Sequence, residues 1–446
     1  MRSDQQQAIN RLAGTSATAF LCAVLCVYPL YIDKFSNLGV TKFTGCFTLF
    51  LLFLLWLVAC TAIGARAPRP RNANAGRDVT LWGVLAFAGT SLISTFTSLS
   101  PTASTWGLGG YYGGLMLVLF TAAGYWGVRS YLDLENVDFV FWVLGITTSI
   151  VAVLYVLNIF NIDLIGAYAD TAVVERAQFF STLGQKDFNG CFFSVALPIV
   201  FYQFLNAKDT RTAVWTGIPA AFGALALAVV DSEALALGIG AAVLVLVCHK
   251  NFTTRHLRRA ALISAAFFGW AAWMHYMRAS VYTQGGTALL AKLGAWQVAL
   301  PCMAASLLLW LVLFVLARKG IAAQAPLYLP GRVITIAVLA VGALAFVLAN
   351  AMPNLPLPES LHNLLVFNDD WGTYRGVAWR AAFGTWADGS LLRKIVGIGP
   401  GMMHTAVAAW AGDAMTARMA TFYAAHNEYL EQLLTTGILG LAAWLL

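Results

Sequence analysis

The sequence predicts an all-α, polytopic membrane protein with about twelve transmembrane helices and a large external loop before the last one. Composition is the first observation: 60% of the 446 residues are hydrophobic and only 11% are charged. The mean hydropathy of +0.73 agrees. A soluble chain of this size has too little polar surface to cover that much apolar side chain. The second observation is length. The apolar residues fall in runs of roughly 17–25, enough to cross a bilayer as helices, whose backbone groups are satisfied within the segment. The third is charge placement, since basic residues collect in alternate connections.

Taken in order, the predicted spans are 16–32, 40–63, 79–99, 113–131, 137–160, 188–206, 212–230, 234–249, 259–276, 296–317, 333–351 and 428–446. A tight turn, Asp231-Ser232-Glu233, separates the seventh from the eighth. The polar start, Met1 to Asn10, is too short and plain for a cleavable signal, so the first run reads as a retained helix. With the N-terminus placed inside, the inner segments hold sixteen basic residues. They are Arg2, Arg11, Arg66, Arg69, Arg71, Arg77, Arg129, Lys208, Arg211, Lys250, Arg255, Arg258, Arg259, Arg318, Lys319 and Arg332. The short outer segments hold six: Lys34, Lys42, Arg176, Lys186, Arg278 and Lys292. That asymmetry makes the N-terminus cytoplasmic in a cell membrane. The net charge of +7 is therefore topology, not a nucleic-acid signal. Lipid head groups account for clusters such as His249 to Arg259. The seven cysteines lie in or beside apolar runs and suggest neither disulfides nor a metal site.

Residues 1–446 read as one integral membrane domain without internal repeats, and polar content concentrates in three outer segments: 161–187, 231–233 and 352–427. The last is long for a connection. It carries Asp369, Asp370, Arg375, Arg380, Arg393, Arg418, Trp371, Trp379 and three of the six histidines. Within it, 375–394 reads as an amphipathic helix with Trp379, Phe383 and Trp386 as its apolar residues. The final span stops at Leu446 without a polar flank, which suggests a truncated chain.

The stretch on which a function would turn is His426-Asn427-Glu428-Tyr429-Leu430-Glu431, which opens the last span. A histidine at a helix start is favoured in its neutral, base-competent form. Glu431, Gln432 and Thr435 carry polarity into the apolar run, where a carboxylate is costly and a functional candidate. An Asn cap with an interfacial tyrosine is the plainer account of the same residues. Four further features accompany it. Arg176 to Asn189 ends an outer loop and enters a helix, where Arg176 and Lys186 suit a phosphate. Arg375 stands four residues before Trp379. Gly397-Ile398-Gly399-Pro400-Gly401 is a tight turn, preceded by no strand and so not a nucleotide loop. Trp106 to Gly114 is a glycine–aromatic turn. Each alone has a bland explanation: a capped loop, a snorkelling arginine, a backbone turn, an interfacial anchor.

Jointly, their order resembles the O-antigen ligase and polymerase superfamily, bacterial membrane proteins that transfer lipid-linked glycans. The resemblance covers residues 106 to 441, and its specific element is His-Asn-x-Tyr-Leu-Glu at 426–431 followed by Gly-x-x-Gly-Leu at 437–441. His362-Asn363 lacks both the following Tyr-Leu and that tail. Two departures stand out. The family's Ser-Arg-Gly is here Asp231-Ser232-Glu233-Ala234, without the arginine, and only Gly184 and Asn189 remain of a Gly-Asn-Pro-Asn pattern. The resemblance implies an inverting transfer from a polyprenyl-pyrophosphate donor to an acceptor hydroxyl at the outer face, with no cofactor and no metal. It implies His426 as base, Arg176 and Arg375 as pyrophosphate clamps and Lys186 as a weaker third. Asn427, Glu431, Asn189, Trp379 and Gly399 would be supports, with Glu431 holding Asn427 one helical turn away. Ligase, polymerase and protein-transferase members share these motifs, so the acceptor (glycan, lipid or protein) stays open. A transporter of lipid-linked glycans is the alternative from another class; it would put its charges near the bilayer midplane. A glycan-binding member without activity is the third reading.

Overall fold

The structure is a computed structural model and describes residues 2–65, 78–108, 110, 112–287, 290–321, 324–352, 355–416 and 422–446. Arg66, Arg69, Arg71, Arg77 and Arg418, and Gly109 and Tyr111 of the glycine–aromatic turn, lie outside the described residues. The described chain is helical; pairing of extended backbone is limited to isolated bridges, Phe180 with Gly184 and Thr253 with Pro326. Helix α1 (Arg2–Cys22) passes through one π-helical turn (Ala23–Val27) into α2 (Tyr28–Leu30). Then come α3 (Leu38–Ala62), α4 (Val79–Phe96), α5 (Pro101–Trp106), α6 (Leu115–Tyr131) and α7 (Val137–Ile159). After a 3₁₀ turn at Val173–Gln178 follow α8 (Lys186–Asn206), α9 (Thr210–Val229), α10 (Glu233–Cys248), α11 (Thr254–Ser280), α12 (Trp296–Arg318) and α13 (Tyr328–Ala351). The remaining helices are α14 (Glu359–Leu365), α15 (Trp371–Ala387), α16 (Leu391–Val396), α17 (Met403–Thr416), α18 (Glu428–Thr435) and α19 (Gly437–Leu445).

Among the described residues, eight helical segments are long and apolar enough to cross a membrane: Asp4–Leu30, Phe35–Ala62, Val79–Phe96, Leu134–Ile159, Lys186–Asn206, Thr210–Val229, Trp296–Arg318 and Tyr328–Ala351. Four of the twelve spans expected from the sequence are not among them, for legible reasons. Helices α6 and α10 have 17 and 16 residues. Helix α11 has the length, but the stretch between Arg259 and Arg278 is diluted by Trp270, Trp273, His275 and Tyr276. The stretch 428–446 is cut by a break at Thr436, with Gly437 at φ +72°. Outward apolar side chains fit a lipid-facing surface: on α13, Val333, Ile334, Ile336, Leu339 and Val341 are all exposed.

By internal packing the chain forms two compact units. The first comprises Met1–Ala17, Phe47–Leu132 and Ala340–Leu446; the second comprises Thr18–Cys46 and Asp133–Leu339. In the first unit α4 packs on α6, α16 and α19, and α15 packs on α17 and α18. Gly83 makes the α4–α19 contact close, since a Cβ there would lie 3.0 Å from the Leu446 carbonyl carbon. A core of Val377, Ala378, Ala381, Ile398, Met403, Val407, Ala425 and Leu434 fills the corner under α15. In the second unit α11 packs on α9 and α12, and α8 lies against α7, α9 and α10. Its core includes Tyr155, Phe193, Leu197, Ala224 to Val230, Leu235 and Met274. Helix starts follow the sequence: Asp78 accepts from the Leu81 N–H, Asp209 from the Thr212 N–H, and Thr253 forms a reciprocal cap with His256.

The stretch 352–427, read from the sequence as one long loop, holds four helices, α14 to α17. The amphipathic helix expected at 375–394 ends instead at Ala387, and α16 restarts after Asp388-Gly389-Ser390. Its buried stripe is made of small residues, Gly376, Val377, Ala378, Ala381 and Ala382, while Phe383 is exposed. Close approach of the neighbouring loop selects small side chains there: a Cβ on Gly376 would sit 1.8 Å from the Asn368 carbonyl oxygen.

Candidate functional site

The first unit builds a cluster around His426. Asn427 caps α18, its side-chain oxygen accepting from the N–H groups of Tyr429 (3.1 Å) and Leu430 (3.3 Å). His426 therefore stands one residue ahead of the cap. Its φ of +50° is left-handed, costly for a residue with a Cβ, and its side chain is exposed. What holds that backbone is visible one residue earlier. Ala425 is fully buried, its N–H donates to the Glu431 carboxylate at 2.7 Å, and its carbonyl accepts from the Trp379 indole N–H at 3.0 Å. Glu431 thus closes the turn back onto Ala425; the side-chain pairing with Asn427 expected from their spacing does not form, because Asn427 is occupied as the cap. The Phe422 ring meets the His426 ring edge-on at 5.9 Å, and the Phe422 carbonyl lies 3.0 Å from the His404 ring nitrogen Nδ1. His404 in turn stacks on Tyr423 at 4.5 Å.

Trp379 connects this turn to Arg375. The two lie four residues apart on α15 and so share a face. Three consecutive left-handed residues, Gly372, Thr373 and Tyr374, break the chain just before Arg375. The side chain of Arg375 folds back over Gly372, whose Cβ would lie 3.4 Å from Arg375 Cδ. Among the described residues the Arg375 guanidinium has no hydrogen-bond or salt-bridge partner. Arg380, one turn further on, does: it pairs with Asp369. Trp379 itself packs with Trp371 (5.0 Å) and Phe367 (6.0 Å). A cavity of about 420 Å³ borders Val377 and Arg380 on one side and Ala408 to Ala414 on the other.

The glycine turn at 397–401 is a buried brace. The Gly399 N–H donates to the Thr435 carbonyl at 2.9 Å and the Ile398 N–H to the Leu434 carbonyl at 3.2 Å, which satisfies the last carbonyls of α18. Gly399 has φ +108°, and a Cβ on it would meet Ser104 Oγ at 2.5 Å. Gly401 likewise lies against Gly107, so the turns at 106–114 and 397–401, separate motifs in the sequence, meet in this unit.

The second unit holds the other expected residues. The Arg176 guanidinium lies over the Tyr168 ring at 5.3 Å, with Nη1 3.4 Å from Asn161 Oδ1 and a buried Nε lacking any partner. The Tyr168 hydroxyl donates to the Phe179 carbonyl and accepts from Gln284 at 3.3 Å; burial pushes this phenol up, so it stays a donor. Asn189 is fully buried, and its Nδ2 donates to the carbonyls of Phe180, Gly184 and Gln185, each at 3.1 Å. It staples the loop that delivers Arg176. Lys186 pairs with Asp231 at 3.3 Å, and the Ser232 hydroxyl donates to Asp187 at 3.1 Å.

Arg278, which the sequence analysis used only as a topological charge, belongs to the same group. It donates to Thr283 and to the Gly285 carbonyl at 3.4 Å each and keeps a buried, unpartnered Nε; burial lowers its pKa, an effect the Asp231 charge only partly offsets. Nothing in local spacing connects Arg278 with Asp231; its position one step past an apolar run was the only cue. Among the described residues no group of three or more His, Cys, Asp or Glu has the arrangement of a metal site.

Fold and composition define the class: an all-helical protein whose eight apolar helices suit a membrane. Beyond the class the comparisons add no relative: no protein-family model, no curated protein and no solved structure matches this chain.

Proposed function

We propose that this protein transfers a glycan from a polyprenyl-pyrophosphate donor to an acceptor hydroxyl at the outer face of a cell membrane. The reading rests on the resemblance of its motifs and on one observation above the rest. The backbone beside His426 is clamped through both amide groups of Ala425, while the histidine side chain faces outward. A general base needs that combination of fixed backbone and accessible ring. In this scheme His426 takes the proton of the acceptor hydroxyl as the oxygen attacks the anomeric carbon. The carbon–oxygen bond to the pyrophosphate breaks on the opposite side, and configuration inverts. The departing polyprenyl pyrophosphate gains one negative charge as the C–O bond breaks, so the remaining need is cationic stabilisation. Arg375, with a guanidinium unengaged by other described residues, supplies it. The resemblance alone assigns Arg176, which keeps one unpartnered N–H within the second unit, as the second clamp. Lys186 is the weaker third because Asp231 already holds it. Asn427, Glu431 and Trp379 fix the histidine turn, Gly399 braces α18 from below, and Asn189 fixes the Arg176 loop.

The central test is His426→Ala in reconstituted membranes with a lipid-linked glycan donor. Transfer is expected to fall by about 10²–10⁴, with unchanged insertion and accumulating donor. Wild-type transfer by this variant would reduce His426 to a residue of the turn and remove the mechanism.

The same reading carries twelve spans, a cytoplasmic N-terminus and an outer location for 352–427. In a cysteine-free background, Ser360→Cys should react with an impermeant thiol reagent on intact cells, and Thr253→Cys should not. The reverse labelling overturns the orientation.

A further inference from the structure

A second site lies within the second unit and shares no residue with the glycan-transfer scheme. Helices α9, α11 and α12 border a cavity of about 640 Å³, within the range of small-ligand pockets. Lys208, Arg255, Arg258 and Arg259 line it, against a single lining carboxylate, Asp209. Asp209 is committed elsewhere: it accepts from the Thr212 N–H at 2.9 Å and the Thr212 hydroxyl at 2.8 Å as the cap of α9.

Three of the four cations are anchored, and Lys208 is exposed. Arg259 is only 9% exposed and donates to the carbonyls of Phe204 (3.0 Å) and Leu205 (2.9 Å). Arg255 is tied to the Ala207 carbonyl. Arg258 lies over the Phe314 ring at 5.9 Å, and Arg318 lies over the same ring at 5.2 Å. Arg258 feels the repulsion of both Arg255 and Arg318. Like charges gathered around a cavity between apolar walls are stabilised by an anion. Trp310, Phe314 and Leu262 make the rest of the wall apolar. Two of the three bordering helices, α9 and α12, are long and apolar enough to span a bilayer.

We infer that this pocket binds the phosphate head group of an anionic diacyl phospholipid, with Arg258 and Lys208 as the exchangeable contacts and Arg255 and Arg259 as fixed ones. An amphiphile satisfies both halves of the site: phosphate for the cations, acyl chains along α9 and α12. A free phosphate satisfies only the first. The inference is independent of the glycan-transfer reading, since it uses none of those residues.

The test is native mass spectrometry of the detergent-purified chain titrated with phosphatidylglycerol or phosphatidylcholine. Wild type should retain phosphatidylglycerol in preference to phosphatidylcholine. Arg258→Gln and Lys208→Gln should each weaken retention about fivefold, with unchanged circular dichroism. Arg332→Gln, a basic residue over the Tyr328 ring and outside the cavity wall, should leave it unchanged. Equal retention of the two lipids, or full retention by both pocket variants, overturns the proposal. Displacement of phosphatidylglycerol by millimolar inorganic phosphate marks a free-anion site and overturns the lipid assignment.

Discussion

The corner around His426 and the loops around Asp231 use polar groups in opposite ways. At His426 the polar contacts are made by neighbours: Asn427 caps, Glu431 and Trp379 hold Ala425, and Gly399 closes the end of α18. The two side chains with chemistry to offer, His426 and Arg375, are left on the rim. Around Asp231 the charged side chains hold one another: Lys186 pairs with Asp231, Arg278 is drawn to the same carboxylate, and Ser232 donates to Asp187. The first arrangement fixes the backbone on either side of an exposed histidine. The second consumes much of its charge in the resting protein. The difference bears on the departure noted in the sequence, an acid and no arginine at 231–233. Asp231 is the carboxylate that Lys186 pairs with.

Four substitutions break or sharpen that contrast. The largest expected effect is at Arg375→Lys, which replaces a planar fork by a point charge. Losing charge-assisted bonds to pyrophosphate should lower transfer about 10–100-fold without reducing membrane-inserted protein. Arg380→Lys should be mild because Asp369 already engages that side chain. Equal losses at both positions, measured in the same reconstituted assay, would erase the distinction between a rim cation and a paired one.

Trp379→Phe comes next. It keeps the aromatic packing with Trp371 but removes the donor to the buried Ala425 carbonyl. An unsatisfied buried carbonyl costs about 1–3 kcal/mol, felt locally at the His426 turn. Transfer should fall about tenfold while protease resistance of the whole chain stays near wild type. Unchanged transfer would mean that Glu431 alone holds the turn.

Lys186→Gln should have the smallest effect. An exposed pair such as Lys186 with Asp231 contributes about 0–1 kcal/mol, so neither stability nor transfer should change by more than about threefold. A loss as large as that of Arg375→Lys would show that Lys186 leaves Asp231 when donor binds, and the contrast between the two regions would fail for the working enzyme.

Much of the architecture was legible without coordinates, because a bilayer imposes its terms locally. Run length and apolarity alone mark the spans read at 137–160 and 296–317, and short-range capping chemistry marks the start at Asn427. In 352–427 the same local rules picked out one helix, at 375–394, where the described residues hold four short ones stabilised by packing of residues such as Val377, Ala378 and Ala381 rather than by length. They also placed the apolar face of α15 on its aromatics, when close approach of Asn368 required small residues.

Sequence by itself determined the helical class, the candidate membrane spans and the short list of polar residues worth inspecting, because hydropathy, cap chemistry and motif order act over a few neighbouring residues. Only the tertiary structure decided the partners. Trp379 reaches Ala425 across 46 positions, Lys186 reaches Asp231 across 45, and Arg278 joins them from the end of another helix. Such pairings follow from how helices pack, and packing is a property of the whole chain: no local periodicity encodes which carbonyl an indole will find, or which arginine will answer a carboxylate.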